Sequence, residues 1–124
     1  MSKIYLIDDQ PIGNFIAKKL LEIEGFEENV HDFTNPVEAF EIVKTEKGTA
    51  LIFLDLNMPQ MNGWQFLDQM QLIGLDKKVI ILTSSTSELD RQKAREYPFV
   101  VDFVIKPLNR QKFTELATHL NLLK

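Results

Sequence analysis

Short apolar runs, separated by longer amphipathic stretches, are the feature that most restricts how this 124-residue sequence can fold. The runs are rich in Ile, Val, Leu and Phe and span residues 4–7, 51–54, 79–82 and 103–105, with a weaker run at 30–33. In the four stronger runs the apolar residues follow one another without alternation, which predicts parallel strands that are buried on both faces. The stretches between the runs must then supply helices for both sides of the sheet.

The first two intervening stretches have the spacing and the end signals of helices. Gly25 is a natural stop for the first of them. We expect the buried face of this helix to consist of Ile12, Phe15, Ile16, Leu20 and Ile23. The second helix is predicted to begin with Asn35 as N-cap, Pro36 in the first turn and Glu38 three residues after the cap.

Three further helices are predicted in the second half of the chain. The third has an apolar stripe of Phe66, Leu67, Met70 and Ile73 and ends at Gly74. The fourth, over about residues 87–96, follows a candidate capping box at 85–88, and its apolar face is thin, with Leu89 and Ala94. The apolar face of the fifth is predicted to consist of Phe113, Leu116, Ala117, Leu120 and Leu123.

Strands and helices therefore alternate five times along the chain. This (βα)5 order predicts an α/β fold in which helices cover both faces of a doubly wound, five-stranded parallel sheet. We expect the flavodoxin-like strand order 2-1-3-4-5. Residues 1–124 are predicted to form one domain, because the length suits a single domain and no linker interrupts the pattern.

Composition and charge exclude several classes of function. The net charge is −4, and 14 basic residues are interspersed with 18 acidic ones, which disfavours direct binding to nucleic acid. The absence of cysteine excludes a disulfide scaffold and a thiolate zinc site. No apolar run approaches the roughly 20 residues that span a bilayer, and the N-terminus lacks a secretory signal. We therefore expect a cytoplasmic protein that does not contact membranes.

The predicted strands end in acids, hydroxyls and an amine. These residues are Asp8 and Asp9, then Asp55, then Thr83 and Ser84, and finally Lys106. In open parallel sheets such strand ends share one rim, at which ligands bind. Carboxylates brought together there repel one another unless a cation lies between them, and oxygen ligands without His or Cys favour Mg²⁺ over zinc or copper.

The other groups at this rim suit a phosphoryl group. Lys106 supplies a positive charge, Thr83 supplies a hydroxyl donor, and the main-chain N–H groups after Asp55 and Thr83 can bind phosphate oxygens. An aspartate beside Mg²⁺ and a lysine can attack a phosphorus centre and form an acyl phosphate. The residues alone therefore predict phosphoryl transfer at this rim.

In this order and at these strand ends, the motifs resemble the receiver domain of two-component response regulators. The residues that carry the resemblance are Asp8-Asp9, the segment Leu54-Asp55-Leu56-Asn57-Met58-Pro59-Gln60-Met61-Asn62-Gly63, Thr83-Ser84, Phe103 and Lys106-Pro107. The likeness covers essentially the whole chain and is to the stand-alone, single-domain type. Gln10, Asn62 and Ser84 depart from the commonest family pattern, but none of them removes a required group.

The resemblance implies a role for each matching residue. Asp55 is expected to be the phosphorylation site, and Lys106 to pair with it in the unphosphorylated protein and to bind the phosphoryl group together with Thr83 and Ser84. The implied Mg²⁺ ligands are Asp8, Asp9, Asp55 and the main-chain carbonyl of Asn57. Thr83 and Phe103 are expected to act as switch residues, and the Lys106–Pro107 peptide bond to be cis. No organic cofactor is expected.

The implied function is a phosphorylation-controlled signalling switch rather than an enzyme that acts on an external substrate. A histidine kinase or a phosphotransfer protein is expected to donate the phosphoryl group in a two-component system or phosphorelay. The surface of helix 4, strand 5 and helix 5 is expected to bind an unknown downstream protein. The protein itself is expected to be a monomer or weak dimer that does not bind nucleic acid directly.

Two alternatives from other classes remain open at the level of sequence. One is a Mg²⁺-dependent phosphohydrolase with an aspartyl nucleophile, as in haloacid-dehalogenase-like enzymes; these carry a second Asp where this chain has Asn57. The other is a flavin-binding module of similar topology, but Asp8 and Asp9 would repel the phosphate of the flavin. Steady turnover of a phosphate ester favours the first, and a flavin-loaded preparation favours the second.

Overall fold

Five parallel strands form one sheet in the order β2-β1-β3-β4-β5. In the computed structural model, which describes residues 3–26 and 29–121, the strands are β1 (Lys3–Ile7), β2 (Val30–Phe33), β3 (Ala50–Asp55), β4 (Lys78–Thr83) and β5 (Val100–Ile105). Each pair of neighbouring strands is parallel. The predicted strand order and fold class are confirmed.

Within residues 3–26 and 29–121, six helical segments follow the strands. They are α1 (Pro11–Ile23), α2 (Pro36–Val43), α3 (Gly63–Leu72), α4 (Glu88–Ala94), α5 (Arg110–Glu115) and α6 (Ala117–Asn121). The predicted fifth helix is thus divided in two at Leu116, although Phe113, Leu116 and Leu120 are buried as expected. Leu123, which we also predicted to lie on that helix, is outside the described residues.

Polar caps begin four of these helices. Asn35 accepts hydrogen bonds from the N–H groups of Val37 and Glu38, as its position before Pro36 predicted. Ser87, rather than Ser85, is the N-cap of α4. The other two are the Asn62–Gln65 capping box of α3 and Asn109, which caps α5. Such caps bind N–H groups that the first turn of a helix leaves unpaired, and so set where each helix begins.

Two apolar clusters cover the two faces of the sheet. One contains Ile52 and Leu54 of β3 with Phe40 of α2 and Phe66 of α3. The other contains Phe53 of β3 with residues of α1, α5 and α6, among them Ala17, Leu21, Phe113 and Leu120. Because successive strand side chains point to opposite faces, β3 contributes to both clusters and is buried at every position.

β5 departs from the prediction that each strong apolar run is buried on both faces. All six of its residues are only half-buried. The strand lies at the edge of the sheet, where the described part of the chain gives it β4 alone as a neighbour. The seven-residue helix α4 beside it buries only Ala94, while Leu89 is 76% exposed, contrary to its predicted place on the apolar face.

The buried face of α1 also differs from the predicted one. Ile12, Phe15 and Ile23 are 60%, 55% and 58% exposed, and the helix instead buries Asn14, Ala17 and Leu21. Asn14 explains this rotation, because its side-chain amide donates hydrogen bonds to the main-chain carbonyls of Asp8 and Phe33 at the ends of β1 and β2. At the end of α3, Ile73 is likewise exposed rather than part of the buried stripe.

Candidate functional site

Three carboxylates converge at the carboxyl ends of β1 and β3. Asp8 and Asp9 follow β1, and Asp55 is the last residue of β3; one oxygen atom from each lies within 4.8 Å of the others. The register brings them together, because Ile7 pairs with Leu54 directly before these acids. Asp8 and Asp55 are buried, so their charges cannot be screened freely by water.

Lys106 brings an amine to this acidic group from the end of β5. Its Nζ atom lies 2.7 Å from Asp8 Oδ2 and 3.6 Å from Asp55 Oδ1. The pairing with Asp55 that we predicted is therefore present, but the shorter contact is with Asp8. The Asp8 carboxylate is oriented toward Lys106 because its other oxygen, Oδ1, accepts a hydrogen bond from the Gln10 N–H at 3.0 Å.

Asp55 has a strongly perturbed protonation equilibrium. Burial raises the pKa of its carboxyl group from 3.8 to about 6, the Lys106 charge opposes this, and the charges of Asp8 and Asp9 add to it. The Asn57 N–H donates to Asp55 Oδ1 at 3.4 Å and favours the ionised form. Near neutral pH, Asp55 is thus mostly ionised. Additional positive charge beside it would stabilise this ionised form.

Asp9 provides an oxygen that suits a cation. Its Oδ1 atom is buried and has no hydrogen-bond partner among the described residues. A buried carboxylate oxygen without a donor is energetically unfavourable, and a metal ion would remove that cost. With Asp8 and Asp55 the donors are all oxygen atoms, so the residues present fit Mg²⁺.

The hydroxyl and aromatic residues lie at different depths. Thr83 is completely buried at the end of β4, and its Oγ1 accepts a hydrogen bond from the Ser85 N–H at 3.1 Å. Ser84 is exposed. Phe103 is half-buried in β5. The Lys106–Pro107 peptide bond is cis.

The loop after Thr83 is ordered by its own side chains. Ser85 Oγ donates to Asp90 Oδ2 at 2.7 Å and accepts a hydrogen bond from the Ser87 N–H. This loop connects the buried Thr83 directly to the start of α4. The side-chain hydrogen bonds of Ser85 thus lie between Thr83 and the first turn of α4.

Cationic side chains of α4 lie over aromatic rings on both sides of the helix. The Arg91 guanidinium is 4.9 Å from the centre of the Phe103 ring, and Lys93 Nζ is 4.6 Å from the centre of a Trp64 ring. Trp64 also stacks on Tyr97, at 6.2 Å between ring centroids. Because α4 buries so little apolar surface, these contacts add to the Ser85–Asp90 hydrogen bond in holding it.

Gly13 and Asn14 are site residues that the sequence analysis did not identify. A Cβ atom at Gly13 would lie 2.0 Å from Asp8 Oδ2, so only glycine leaves room for the observed Asp8 carboxylate. Asn14 binds the carbonyl of Asp8 itself, at 3.3 Å. The available signals were a glycine in the first turn of a helix and a polar residue within an apolar helix, both directly after the acidic pair.

Residues 4–118 match the response regulator receiver domain family. The chain belongs to this family. It is 32% identical over 88 residues to the "Virulence factors putative positive transcription regulator BvgA" of Bordetella pertussis, which covers 71% of this chain but only 41% of BvgA. The chain thus spans less than half the length of that relative.

Solved receiver structures share the fold over almost the whole receiver domain. A two component response regulator from Cytophaga hutchinsonii has 27% identity and a TM-score of 0.81, with 98% of each chain covered. The signal receiver domain of a putative Luxo repressor protein from Vibrio parahaemolyticus has 24% identity and a TM-score of 0.84, covering 98% of this chain and 91% of the other.

Family membership assigns a general function to the receiver domain. Receiver domains are signalling switches of two-component systems rather than classical enzymes, and they bind Mg²⁺ at an acidic pocket. The acidic group of this chain is Asp8, Asp9 and Asp55. Within residues 3–26 and 29–121, no helix is long and apolar enough to cross a bilayer.

Proposed function

We propose that this receiver domain is switched by phosphorylation of Asp55, with Mg²⁺ held by Asp8, Asp9, Asp55 and the main-chain carbonyl of Asn57. The observation that carries the proposal is the meeting of three carboxylates within 4.8 Å, with the Lys106 amine 2.7 and 3.6 Å from two of them. When bound, Mg²⁺ supplies positive charge that neutralises the phosphoryl oxygens.

In the proposed transfer, Asp55 acts as the nucleophile. A carboxylate oxygen of Asp55 forms a bond to the phosphorus atom, while the bond from phosphorus to the donor breaks and the donor keeps that electron pair. The Lys106 ammonium group leaves its contacts with Asp8 and Asp55 and contacts the phosphoryl oxygens instead. Thr83 donates its hydroxyl hydrogen to one of those oxygens, and the Ser84 N–H offers a further donor. These residues mainly position and stabilise the transferring group.

The phosphorylated site then favours a second arrangement of the α4–β5–α5 surface. Thr83 moves toward the phosphoryl group, Phe103 becomes more buried, and the α4 contacts around it rearrange. Moving a two-state switch from mostly off to mostly on takes about 5 kcal/mol of differential stabilisation. The charge of the phosphoryl group, with its bonds to Lys106 and Thr83, is of a kind that supplies this.

The proposed partners follow from this scheme. A histidine kinase or a phosphotransfer protein donates the phosphoryl group, and a downstream protein binds the rearranged surface. Hydrolysis of the acyl phosphate by the domain itself returns the switch to its starting state; Asn57 and Ser85, near the path of the attacking water, set its rate. The domain works as a monomer or weak dimer, without direct contacts to nucleic acid or membrane.

Intact-mass analysis after incubation with acetyl phosphate and Mg²⁺ tests this function. We expect one added phosphoryl group, absent in Asp55→Asn and absent when the metal is chelated. Lys106→Ala should still bind Mg²⁺ but should not change partner binding on phosphorylation. A phosphoryl group added to Asp55→Asn would contradict the proposal. Steady turnover of a phosphate ester would also contradict it and would favour a phosphohydrolase.

A further inference from the structure

A second lysine fixes the loop that carries Lys106. Lys112, in α5, donates hydrogen bonds from Nζ to two main-chain carbonyl oxygens, that of Ile105 at 2.6 Å and that of Pro107 at 3.1 Å. These two carbonyls belong to the residues on either side of Lys106. One ammonium group therefore holds the backbone on both sides of the amine that contacts Asp8 and Asp55.

The two hydrogen bonds of Lys112 lie where β5 ends and the backbone loses the support of the sheet. Ile105 is the last residue of β5, paired with Thr83 of β4. Beyond it, the Lys106 N–H donates to the Thr83 carbonyl at 2.7 Å, and the chain then leaves the sheet. From that point, Lys112 supplies both a side-chain and a main-chain contact to the loop, since its N–H donates to the Asn109 side chain at 2.8 Å.

The charge of Lys112 is directed at the backbone rather than at an acid. Among the described residues, no carboxylate forms an ion pair with it, whereas lysines such as Lys18 and Lys44 are paired with acidic side chains. Hydrogen bonds from an ammonium group to a carbonyl are charge-assisted and shorter than neutral ones. The 2.6 Å contact with Ile105, which is partly buried, is of this kind.

We propose that Lys112 is a positioning residue for phosphoryl transfer. By holding the carbonyls of Ile105 and Pro107, it keeps the Lys106 backbone where the Lys106 amine reaches Asp8 and Asp55. This inference rests on the proposed function of Asp55 and Lys106. A displacement of about 1 Å can cost a catalytic group about 100-fold in rate, and loss of an outer hydrogen-bond partner of a metal ligand costs about 10- to 100-fold; for Lys112 we expect a loss at the lower end of this range.

The test compares Lys112→Met with Lys112→Arg. Methionine keeps most of the aliphatic stem but cannot donate, whereas arginine keeps the charge and the donors. With acetyl phosphate and saturating Mg²⁺, we expect Lys112→Met to be phosphorylated about tenfold more slowly than wild type, and Lys112→Arg to recover most of the rate. Unchanged melting temperatures for both variants show that they fold.

Lys77→Met is the matched control. Lys77 also donates from Nζ to a main-chain carbonyl, that of Gly48 at 2.5 Å, but it lies next to the first residue of β4, at the opposite end of the sheet from Asp55. Its loss removes the same kind of contact without touching the Lys106 loop. We expect Lys77→Met to be phosphorylated at the wild-type rate.

A double variant separates positioning from an independent effect of charge. In a Lys106→Ala background, Lys112→Met should cause no further loss of rate, because there is no amine left to position. A further tenfold loss there, or a wild-type rate in Lys112→Met alone, would overturn the inference. So would a loss in Lys77→Met equal to that in Lys112→Met.

Amide hydrogen exchange gives a readout that does not depend on phosphoryl transfer. The Lys106 N–H, bonded to Thr83, should exchange faster in Lys112→Met than in wild type and should be restored in Lys112→Arg. Unchanged exchange would also overturn the inference. A wild-type protein that takes no phosphoryl group on Asp55 contradicts the proposed function instead, and the exchange comparison still decides whether Lys112 holds Lys106 in place.

Discussion

Asp55 is a buried carboxylate between two others, and Lys106 compensates its charge only in part. Burial raises the pKa of Asp55 to about 6, from 3.8. Between these values the folded protein binds more protons at this site than the unfolded chain does, so the free energy of unfolding decreases as the pH rises through the window. Above about pH 6 the whole unfavourable contribution of the ionised Asp55 is present.

Because ionised Asp55 lowers the free energy of unfolding, we predict that Asp55→Asn stabilises the protein at neutral pH. Without divalent cations, we expect the variant to be about 1–3 kcal/mol more stable than wild type at about pH 7, and equal to it near pH 4, where Asp55 is protonated. Urea denaturation of both proteins at a series of pH values measures the difference. A difference that is the same at every pH would show that Asp55 does not titrate in this window.

Gly13 gives a second prediction for a single residue. Gly13→Ala places a Cβ atom where the Asp8 carboxylate now lies, and so displaces that carboxylate from Lys106. We expect Mg²⁺ affinity to fall about tenfold. The free energy of unfolding should fall by about 1–3 kcal/mol, because the buried Asp8 carboxylate loses its partner and the roughly 1 kcal/mol by which alanine favours a helix over glycine offsets only part of that loss.

Isothermal titration with Mg²⁺ and urea denaturation measure these two quantities. Lys18→Ala, on an exposed position of the same helix, is the control and should alter neither by much. A variant Gly13→Ala that binds Mg²⁺ as wild type does would show that the Asp8 carboxylate adjusts without cost.

Among the elements, α4 is held differently from its neighbours. It buries only Ala94 and is held further by Arg91 over Phe103, Lys93 over Trp64 and the Ser85–Asp90 hydrogen bond, whereas α1 buries Asn14, Ala17 and Leu21. Exposed cation–π contacts each contribute about 0.5–1 kcal/mol. The helix should therefore open locally at a lower free energy than the rest of the domain.

Replacing Arg91 and Lys93 together by methionine should loosen α4 without unfolding the domain. We expect faster amide exchange over residues 88–94 and a loss of no more than about 2 kcal/mol in overall stability. Lys19→Met removes a comparable contact, 5.5 Å from the Phe15 ring, on the better-buried α1 and is the control. Exchange in α4 that does not change would show that another contact holds the helix.

Strands and caps were more predictable than helix faces, for a physical reason. The burial of 51–54 follows from a continuous apolar run, and the cap at Asn35 follows from the residues directly after it, so both can be read from adjacent residues. The rotation of α1 depends on Asn14, whose amide binds carbonyls of Asp8 and Phe33 that meet only after β1 and β2 pair. In β5, the predicted strand order already placed the strand at an edge, but its apolar run did not reveal how little of it the short helix α4 would cover.

For the whole molecule, the proposed Mg²⁺ site couples metal binding to folding. The three carboxylates come from two strands and meet only in the folded state, so a bound cation stabilises that state. At a free Mg²⁺ concentration about ten times Kd, we expect a gain of about 1.4 kcal/mol in the free energy of unfolding.

Thermal denaturation with and without Mg²⁺ measures this gain. Asp9→Asn should abolish it, because Asp9 supplies the buried oxygen that has no partner among the described residues. Asp32→Asn, which alters an exposed acid on β2, should keep it. An equal gain in all three proteins would indicate a nonspecific effect of the salt.

The convergence of the strand-end residues could be derived from topology, but their individual contacts could not. Parallel strands in the order 2-1-3-4-5 must bring Asp8, Asp55 and Lys106 to one rim. That Lys106 lies nearer to Asp8 than to Asp55, and that Lys112 holds its loop, depends on side-chain conformations within a few ångströms. Strand order constrains positions only to within several ångströms, so it does not determine such contacts.

The unequal burial of the strands has a consequence for heritable change. A large-to-small substitution within 51–54 lowers the free energy of unfolding by about 2–5 kcal/mol, which is a large share of the stability of a small domain. Selection therefore removes such a substitution whatever its effect on signalling. Residues of the half-buried β5 pack only partly against the two apolar clusters, so substitutions there cost less. Because the proposed partner surface includes β5 and α4, duplicated copies of this gene can diverge in which protein they bind while both inherit the same acidic rim.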